Sequence, residues 1–395
     1  SHFVAVTDLG SKLEQTAKAD GFAHIFAGDP AIGGRYSVLS AFGMVPAAAM
    51  GIDIQDFYEK TQPMVFACGA DSPPAANPGV RLGVIIGEAA ISGRDKLTIL
   101  ASKGLESFGA WLEQLLAEST GKKGKGIIPV DLEPAGPPEV YGSDRLFVHL
   151  HLEGDADDGL DNKLETLTQA GHPLIRITVA SRDLIGQEFF RWEIATAIAS
   201  AVIGINPFDQ PDVEDAKIAT RELVDAYEAS SALEPEIAIA EDADLAIYAA
   251  GESGFGSGDP VNLLRLHLAR LKPGHYAGFL GFIERNEANA AAMAAMRVAV
   301  RATKAVATVA GFGPRFLHSM GQAYKGGPAS GLFLTITGDP HPDLSIPGRK
   351  ASFGTIQIAQ ARGDMAVLAA RGRPVLRVHI KKDGSGIEAL RAAVI

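Results

Sequence analysis

Four stretches of the sequence set reactive side chains where chemistry is commonly done. Gly33-Gly34-Arg35-Tyr36-Ser37 places an arginine between a double-glycine turn and the start of a helix-like run. Glycines let backbone approach a ligand closely, and a guanidinium can hold a developing oxyanion. The same residues also describe a turn with a surface arginine. The run from Trp111 to Ser119 reads as an amphipathic helix ending at the carboxylate of Glu118. Apolar neighbours would tune such a carboxylate toward a general base, whereas a solvated helix end would leave it an ordinary acid. Asn206-Pro207-Phe208-Asp209-Gln210-Pro211 opens a helix that carries Lys217, with the composition of a helix cap. Leu317-His318-Ser319-Met320-Gly321-Gln322 sets a histidine among loop residues, with Lys325-Gly326-Gly327-Pro328 just beyond. Imidazole is the side chain best suited to proton exchange near neutral pH, so His318 is a candidate acid.

Other motifs carry less. Gly121-Lys122-Lys123 lacks the Ser or Thr that would touch magnesium in a nucleotide P-loop. Gly254-Phe255-Gly256-Ser257-Gly258 lacks dinucleotide spacing and runs into Asp259-Pro260, as a solvent loop would. His149 and His151 share one face of a predicted strand, but no carboxylate cluster accompanies them. They read as core or surface histidines before they read as metal ligands, and no cofactor or metal is expected.

These residues must be positioned by an alternating series of elements. Strand-like apolar runs fall at 3–7, 97–102, 146–152, 174–180, 236–240, 276–283, 331–337 and 375–380. Helical patterns lie between them at 109–118, 160–170, 187–203, 213–230 and 287–304. Alternation of this kind predicts an α/β protein with mostly parallel sheets. Right-handed crossovers would then put active-site loops at the carboxyl ends of the strands. Surface loops are expected at 121–126, 251–260 and 339–349. The Ala-rich helix at 288–302 has strong propensity but few large apolar residues, so close packing against another helix is expected.

Composition narrows the class. At roughly 150 residues per domain, 395 residues predict two or three domains. Hydrophobic residues make up 47%, enough for a large core. With 47 Asp and Glu against 36 Lys and Arg, and no basic run, a phosphate-gripping nucleic-acid groove is not expected. The single cysteine, Cys68, excludes disulfide frameworks and cysteine metal clusters, and suits a reducing cytoplasm. The most apolar stretch is about a dozen residues, too short for a bilayer span, so no membrane is expected as a partner. The chain opens directly on a strand-like run, which predicts a piece of a longer protein.

Taken together, the four stretches resemble phosphoglucose isomerase (glucose-6-phosphate isomerase). Gly33 to Ser40 resembles one signature of that family, and Glu118-Ser119-Thr120-Gly121-Lys122 its catalytic-glutamate segment. Asn206 to Lys217 resembles its Phe-Asp-Gln signature followed by a catalytic lysine, and 317–322 the bacterial segment that holds the catalytic histidine. The likeness spans about 1–217 and 312–380. Two departures stand out. The histidine segment follows Phe-Asp-Gln by about a hundred residues, an order similar to the isomerase half of bacterial transaldolase–phosphoglucose isomerase fusions. The family's glycine-rich loop and Ser/Thr-rich phosphate loop, which precede the Val-Thr-Asp strand, do not appear in this sequence.

The resemblance implies two three-layer, parallel-sheet lobes of the sugar isomerase (SIS) type, the first truncated at its N-terminus. Their expected extents are 1–130, with linking helices, and 131–395, with an additional segment at about 225–312. It implies reversible conversion of glucose 6-phosphate to fructose 6-phosphate through an enediolate, without a cofactor. His318 and Lys217 would assist ring opening, Glu118 would shuttle the proton between C2 and C1, and Arg35 would stabilise the negative oxygen. Gly34, Gln210 and Gln322 would help hold the substrate. Arg35, Lys122, Lys217 and Lys325 would make the cleft locally positive despite the net charge of −11. The implied partner is a small sugar phosphate, bound by a homodimer with neither nucleic acid nor membrane. A catalytically inactive fragment and a sugar-phosphate-binding regulatory module are the alternatives. Without the phosphate loop, weak or no activity is expected of the chain alone.

Overall fold

The computed structural model describes residues 2–155, 157–250, 254–340, 342–381 and 385–395. β1 (Val4–Thr7) and β2 (His24–Ala27) form a small parallel pair. β3 (Lys96–Ala101), β4 (Ile128–Val130), β5 (Arg145–Leu152) and β6 (Leu174–Val179) make a parallel sheet in the order β4-β3-β5-β6. A second sheet takes β7 (Ala240–Glu241), β8 (Leu245–Ala249), β9 (Tyr276–Phe282), β10 (Ala307–Phe312), β11 (Gly331–Gly338) and β12 (Val375–Ile380). Its order is β10-β9-β11-β12-β8-β7, with the first four strands parallel and β8 antiparallel to β12. The expected parallel-sheet α/β architecture is present.

Side-chain alternation builds the layers. On β5, Leu146, Val148, Leu150 and Leu152 enter one core while Phe147 enters another on the opposite face. On β11, Leu332, Leu334 and Ile336 face one core and Phe333 the other. Ile128 and Val130 of β4 lie in the same core as Val309 of β10 and Phe333 of β11, so the two sheets share buried surface.

Seven helices matter for the site: α1 (Pro78–Ile91), α2 (Glu106–Thr120), α3 (Ile185–Ile203), α4 (Glu214–Ser230), α5 (Glu287–Lys304), α6 (Gly321–Gly326) and α7 (Phe353–Ala370). Asn77 caps α1 by accepting from the Val80 N–H, and Pro78 fills the first turn. Gly79, Gly83 and Gly87 let α1 approach α3 closely. A Cβ on Gly83 would stand 2.5 Å from the Ala195 carbonyl oxygen, and one on Gly79 would strike Ile194.

Several expectations change. The division between residues 130 and 131 falls inside the first sheet, because β5 and β6 pair with β3. The strand expected at 236–240 is only the two-residue edge strand β7, and the longer β8 beside it runs antiparallel to β12. β2, β4 and β10 also form where no strand was expected. The helix expected at 288–302 does pack on a helix, Ser385–Val394, but it also buries Arg297 and Arg301 against the first lobe. Of the loop expected at 251–260, residues 251–253 lie outside the described residues, as does residue 341 of the loop expected at 339–349. Among the described residues, no helix is long and apolar enough to cross a membrane.

Candidate active-site cleft

α2 runs back across the first sheet from the carboxyl end of β3 to the amino end of β4. Glu118, two residues from its end, therefore lies at the amino edge of that sheet, not at the carboxyl edge that crossover geometry favours. His318 obeys the rule, since it closes the turn Arg315–His318 that follows β10. The two edges meet at a cleft of about 680 Å³. Glu118, Gln210, Lys217, His318 and Lys325 all line it.

Three segments are tied together to make this cleft. Gln322 donates to the Gly121 carbonyl at 2.8 Å and to Asp212 Oδ2 at 2.5 Å, and accepts from the Asp212 N–H at 2.9 Å. The Gly124 N–H donates to the Gly326 carbonyl at 2.9 Å. Glycine is needed at both crossings: a Cβ at Gly121 would lie 2.3 Å from Ala323 Cα, and one at Gly326 would lie 2.1 Å from Asp212 Oδ2. Ser319 donates to Glu113 Oε1 at 2.7 Å, which fixes the His318 turn on the same helix that carries Glu118. Burial pushes the Glu113 carboxyl up from its ordinary value, against the pull of that hydrogen bond.

Arg35 sits behind Glu118 and is 2% exposed. Its Nε donates to Ser119 Oγ at 2.8 Å, and its Nη1 donates to Gln210 Oε1 at 3.0 Å and lies 3.4 Å from Glu118 Oε1. Nη2 donates to the carbonyls of Pro207 and Asp209 at 2.5 and 3.1 Å. Four of its five N–H donors are thus spent on hydrogen bonds, and Glu118 adds an ion pair. Arg35 is a clamp between the glutamate helix and the 206–210 turn. Gln114 also reaches Glu118, at 3.3 Å. Of the two readings of Glu118, the polar one fits its surroundings, which hold Arg35 and Gln114.

The remaining expected residues divide. Lys217 stands exposed in the first turn of α4, 3.1 Å from Glu214. His318 is exposed at the cleft. Gln322 is fully buried with both amide atoms engaged, so it braces the cleft and does not face a substrate. Gly34 lies in the turn before Arg35 and is not among the cleft-lining residues. The expected positive cations are each matched by an acid: Lys325 with buried Asp364 at 2.5 Å, Lys122 with Asp209 at 2.7 Å, Lys217 with Glu214 and Arg35 with Glu118. Burial pulls the Lys122 ammonium below its ordinary value, opposed by Asp209.

Three residues outside the expected set shape the site. Ser119 links Arg35 to the Tyr36 hydroxyl, to which it donates at 3.1 Å. Burial raises the Tyr36 phenol. Asp212 receives Gln322 and an ion pair from Arg371. Ser119 and Tyr36 each flank an expected residue, which is the one signal the sequence offered. His149 and His151 do share a strand face, with rings 5.4 Å apart. Among the described residues, no group of three His, Cys, Asp or Glu could hold a metal.

A parallel-sheet α/β protein with a carboxylate, an ammonium and an imidazole around one cleft is the class that fold and site define. The chain is phosphoglucose-isomerase-like over about half its length. It is 32% identical to a glucose-6-phosphate isomerase of Parabacteroides distasonis over 250 residues, covering 53% of this chain and 56% of that protein. It is 29% identical to a probable glucose-6-phosphate isomerase of Methanococcus maripaludis, covering 55% and 56% of the two chains. The chain therefore spans about half the length of the curated relatives it matches. No protein-family model matches it. The C-terminal domain of a glucosamine-fructose-6-phosphate aminotransferase from Francisella tularensis superposes with a TM-score of 0.27 at 10% identity, covering 86% of this chain and 92% of that one.

Proposed function

We propose that the cleft interconverts glucose 6-phosphate and fructose 6-phosphate, as the isomerase part of a longer, transaldolase-fused and homodimeric cytoplasmic enzyme. One observation supports this above the rest: Glu118, Lys217 and His318, drawn from three distant segments, line a single cleft. The reaction opens a sugar ring, removes a proton from carbon and returns it to the neighbouring carbon. Lys217 and His318, both exposed at the cleft, are able to exchange protons with the ring and hydroxyl oxygens. Glu118 removes the proton from C2 and delivers it to C1, held at a fixed angle by Arg35 and Gln114. Negative charge on the enediolate oxygen is opposed by the Arg35 guanidinium behind the glutamate, an interaction strongest in the transition state. No step calls for a cofactor.

The test is a coupled assay of glucose 6-phosphate formation from fructose 6-phosphate with the purified chain. Conversion that depends on Glu118 supports the reading. Binding of the sugar phosphate without any turnover would favour a regulatory module instead.

A further inference from the structure

Glu118 and His318 come from opposite sheet edges, yet both face one cleft. One helix sets the spacing between them. Glu113 lies upstream of Glu118 on α2, and its Oε1 accepts from the Ser319 hydroxyl at 2.7 Å. Arg315 Nη1 stands 3.6 Å from the same oxygen, and Arg315 Nη2 donates to the Ala110 carbonyl of α2 at 3.2 Å. Arg315 and Ser319 lie on either side of His318 in the chain, so its turn is anchored on α2 at both ends. Ser319 is 3% exposed and the Glu113 side chain 13%, so water competes little for the bond between them. Burial raises the Glu113 carboxyl, while Ser319 and Arg315 of the turn, with Arg297 of α5, favour its charged form. From α6 the Tyr324 phenol faces it, raised by burial and by the Glu113 charge. Asp131, just after β4, is pressed against the same side of α2: a Cβ on Gly109, one turn before Glu113, would lie 2.1 Å from Asp131 Oδ1. Burial and the Glu113 charge raise that second acid to about 7. A buried carboxylate beside another acid is a poor way to hold a turn to a helix, and well-packed apolar side chains would stabilise the contact better. What the carboxylate adds is direction, since a charge-assisted hydrogen bond fixes where Ser319 and the neighbouring His318 must sit.

We propose that Glu113 is a positioning residue: through Ser319 and Arg315 it sets the His318 imidazole relative to Glu118, and it serves the reaction through His318. The step that depends on it is ring opening, where the imidazole exchanges a proton with a sugar oxygen and a small displacement is expensive. The proposal rests on the isomerase reading for that step, but the placement of the imidazole is measurable without turnover.

The experiment is a double-mutant cycle. Glu113→Gln and Ser319→Ala are each made in wild type and in His318→Gln, and kcat/KM for glucose 6-phosphate is measured in the coupled assay. In wild type each change is expected to lower kcat/KM by about ten- to a hundredfold, carried mainly by kcat. In the His318→Gln background neither should lower it further, because both act through the missing imidazole. Nitrogen-15 spectra of histidine-labelled protein supply the second readout, with the His318 signals assigned by their loss in His318→Gln. Those signals should shift or broaden in Glu113→Gln and in Ser319→Ala. Should Glu113→Gln fail to fold, Ser319→Ala breaks the same bond from the other side and carries the test alone. Equal losses in both backgrounds would mark a merely structural effect and overturn the proposal, as would wild-type kcat/KM or unchanged His318 signals in the two variants. If wild type fails to isomerise while the His318 signals respond to both changes, the positioning stands and the isomerase reading falls.

Discussion

Glu118 and Arg35 form a pair with divided labour, the carboxylate reaching the cleft and the guanidinium buried behind it. Glu118→Gln keeps the shape and removes the proposed base. It should lower turnover by about 10²–10⁴-fold while leaving KM within a few-fold, measured in the coupled assay. Arg35→Ala should act on the fold as well, because Ser119, Gln210 and two carbonyls would lose their donor in a buried place. A loss on the order of 3 kcal/mol is expected from denaturant titration, and Arg35→Lys should recover little of it because an ammonium with three donors cannot serve all four acceptors. At this scale the sequence named residue types and left their orientation open. Nothing in Gly33-Gly34-Arg35 says that the guanidinium turns inward, since its acceptors at 119, 207, 209 and 210 are remote in the chain. Gln322 misled for the same reason: its partners Gly121 and Asp212 become neighbours only when the lobes assemble.

The elements were legible where their periodicity was long. The helices α2, α3, α4 and α5 lie close to where their patterns place them. The short strands β4 and β2 carry too few residues to show a period, and β10 was hidden at the end of the Ala-rich run. Two element-scale predictions follow from α3. Gly83→Val on α1 should destabilise the protein, because the new side chain would collide with the Ala195 carbonyl of α3. A lowered thermal midpoint is expected. Glu193 of α3 makes no ion pair among the described residues, and burial pushes its carboxyl up from 4.5 to about 8. The folded state therefore keeps a proton that the unfolded chain has released across that window. Its contribution to stability is complete below about pH 4.5 and is lost as pH rises through about 8. Asp131, raised to about 7 by burial and by Glu113, acts in the same direction. Melts at pH 5 and pH 8.5 should show a larger drop for wild type than for Glu193→Gln; equal drops would remove Glu193 as a source.

On the scale of the molecule, the cleft exists because two sheets are locked together. Glu133, fully buried just after β4, accepts from Arg145 of β5 at 3.1 Å and from the Thr308 N–H and hydroxyl of β10 at 2.9 and 2.6 Å. Arg301 of α5 approaches it at 3.6 Å. Burial would raise this carboxyl, but the Arg145 and Arg297 guanidiniums outweigh it and hold it below the ordinary value. Removing one partner of a buried ion pair costs about 3–5 kcal/mol, so Glu133→Ala should destabilise both lobes in one transition; two separate transitions would show that they fold apart. The sequence foretold two parallel-sheet lobes, yet it placed their boundary inside a sheet, because strand pairing between residues 96 and 179 leaves no trace in composition. In the proposed reaction Glu118 moves a proton between carbons in the cleft formed where the two sheet edges meet. The direct measurement is deuterium incorporation at C1 and C2, followed by nuclear magnetic resonance, when glucose 6-phosphate is incubated in heavy water with wild type or Glu118→Gln. Incorporation with fructose 6-phosphate formation by wild type, lost in Glu118→Gln, is the predicted result; equal incorporation by both proteins would contradict it.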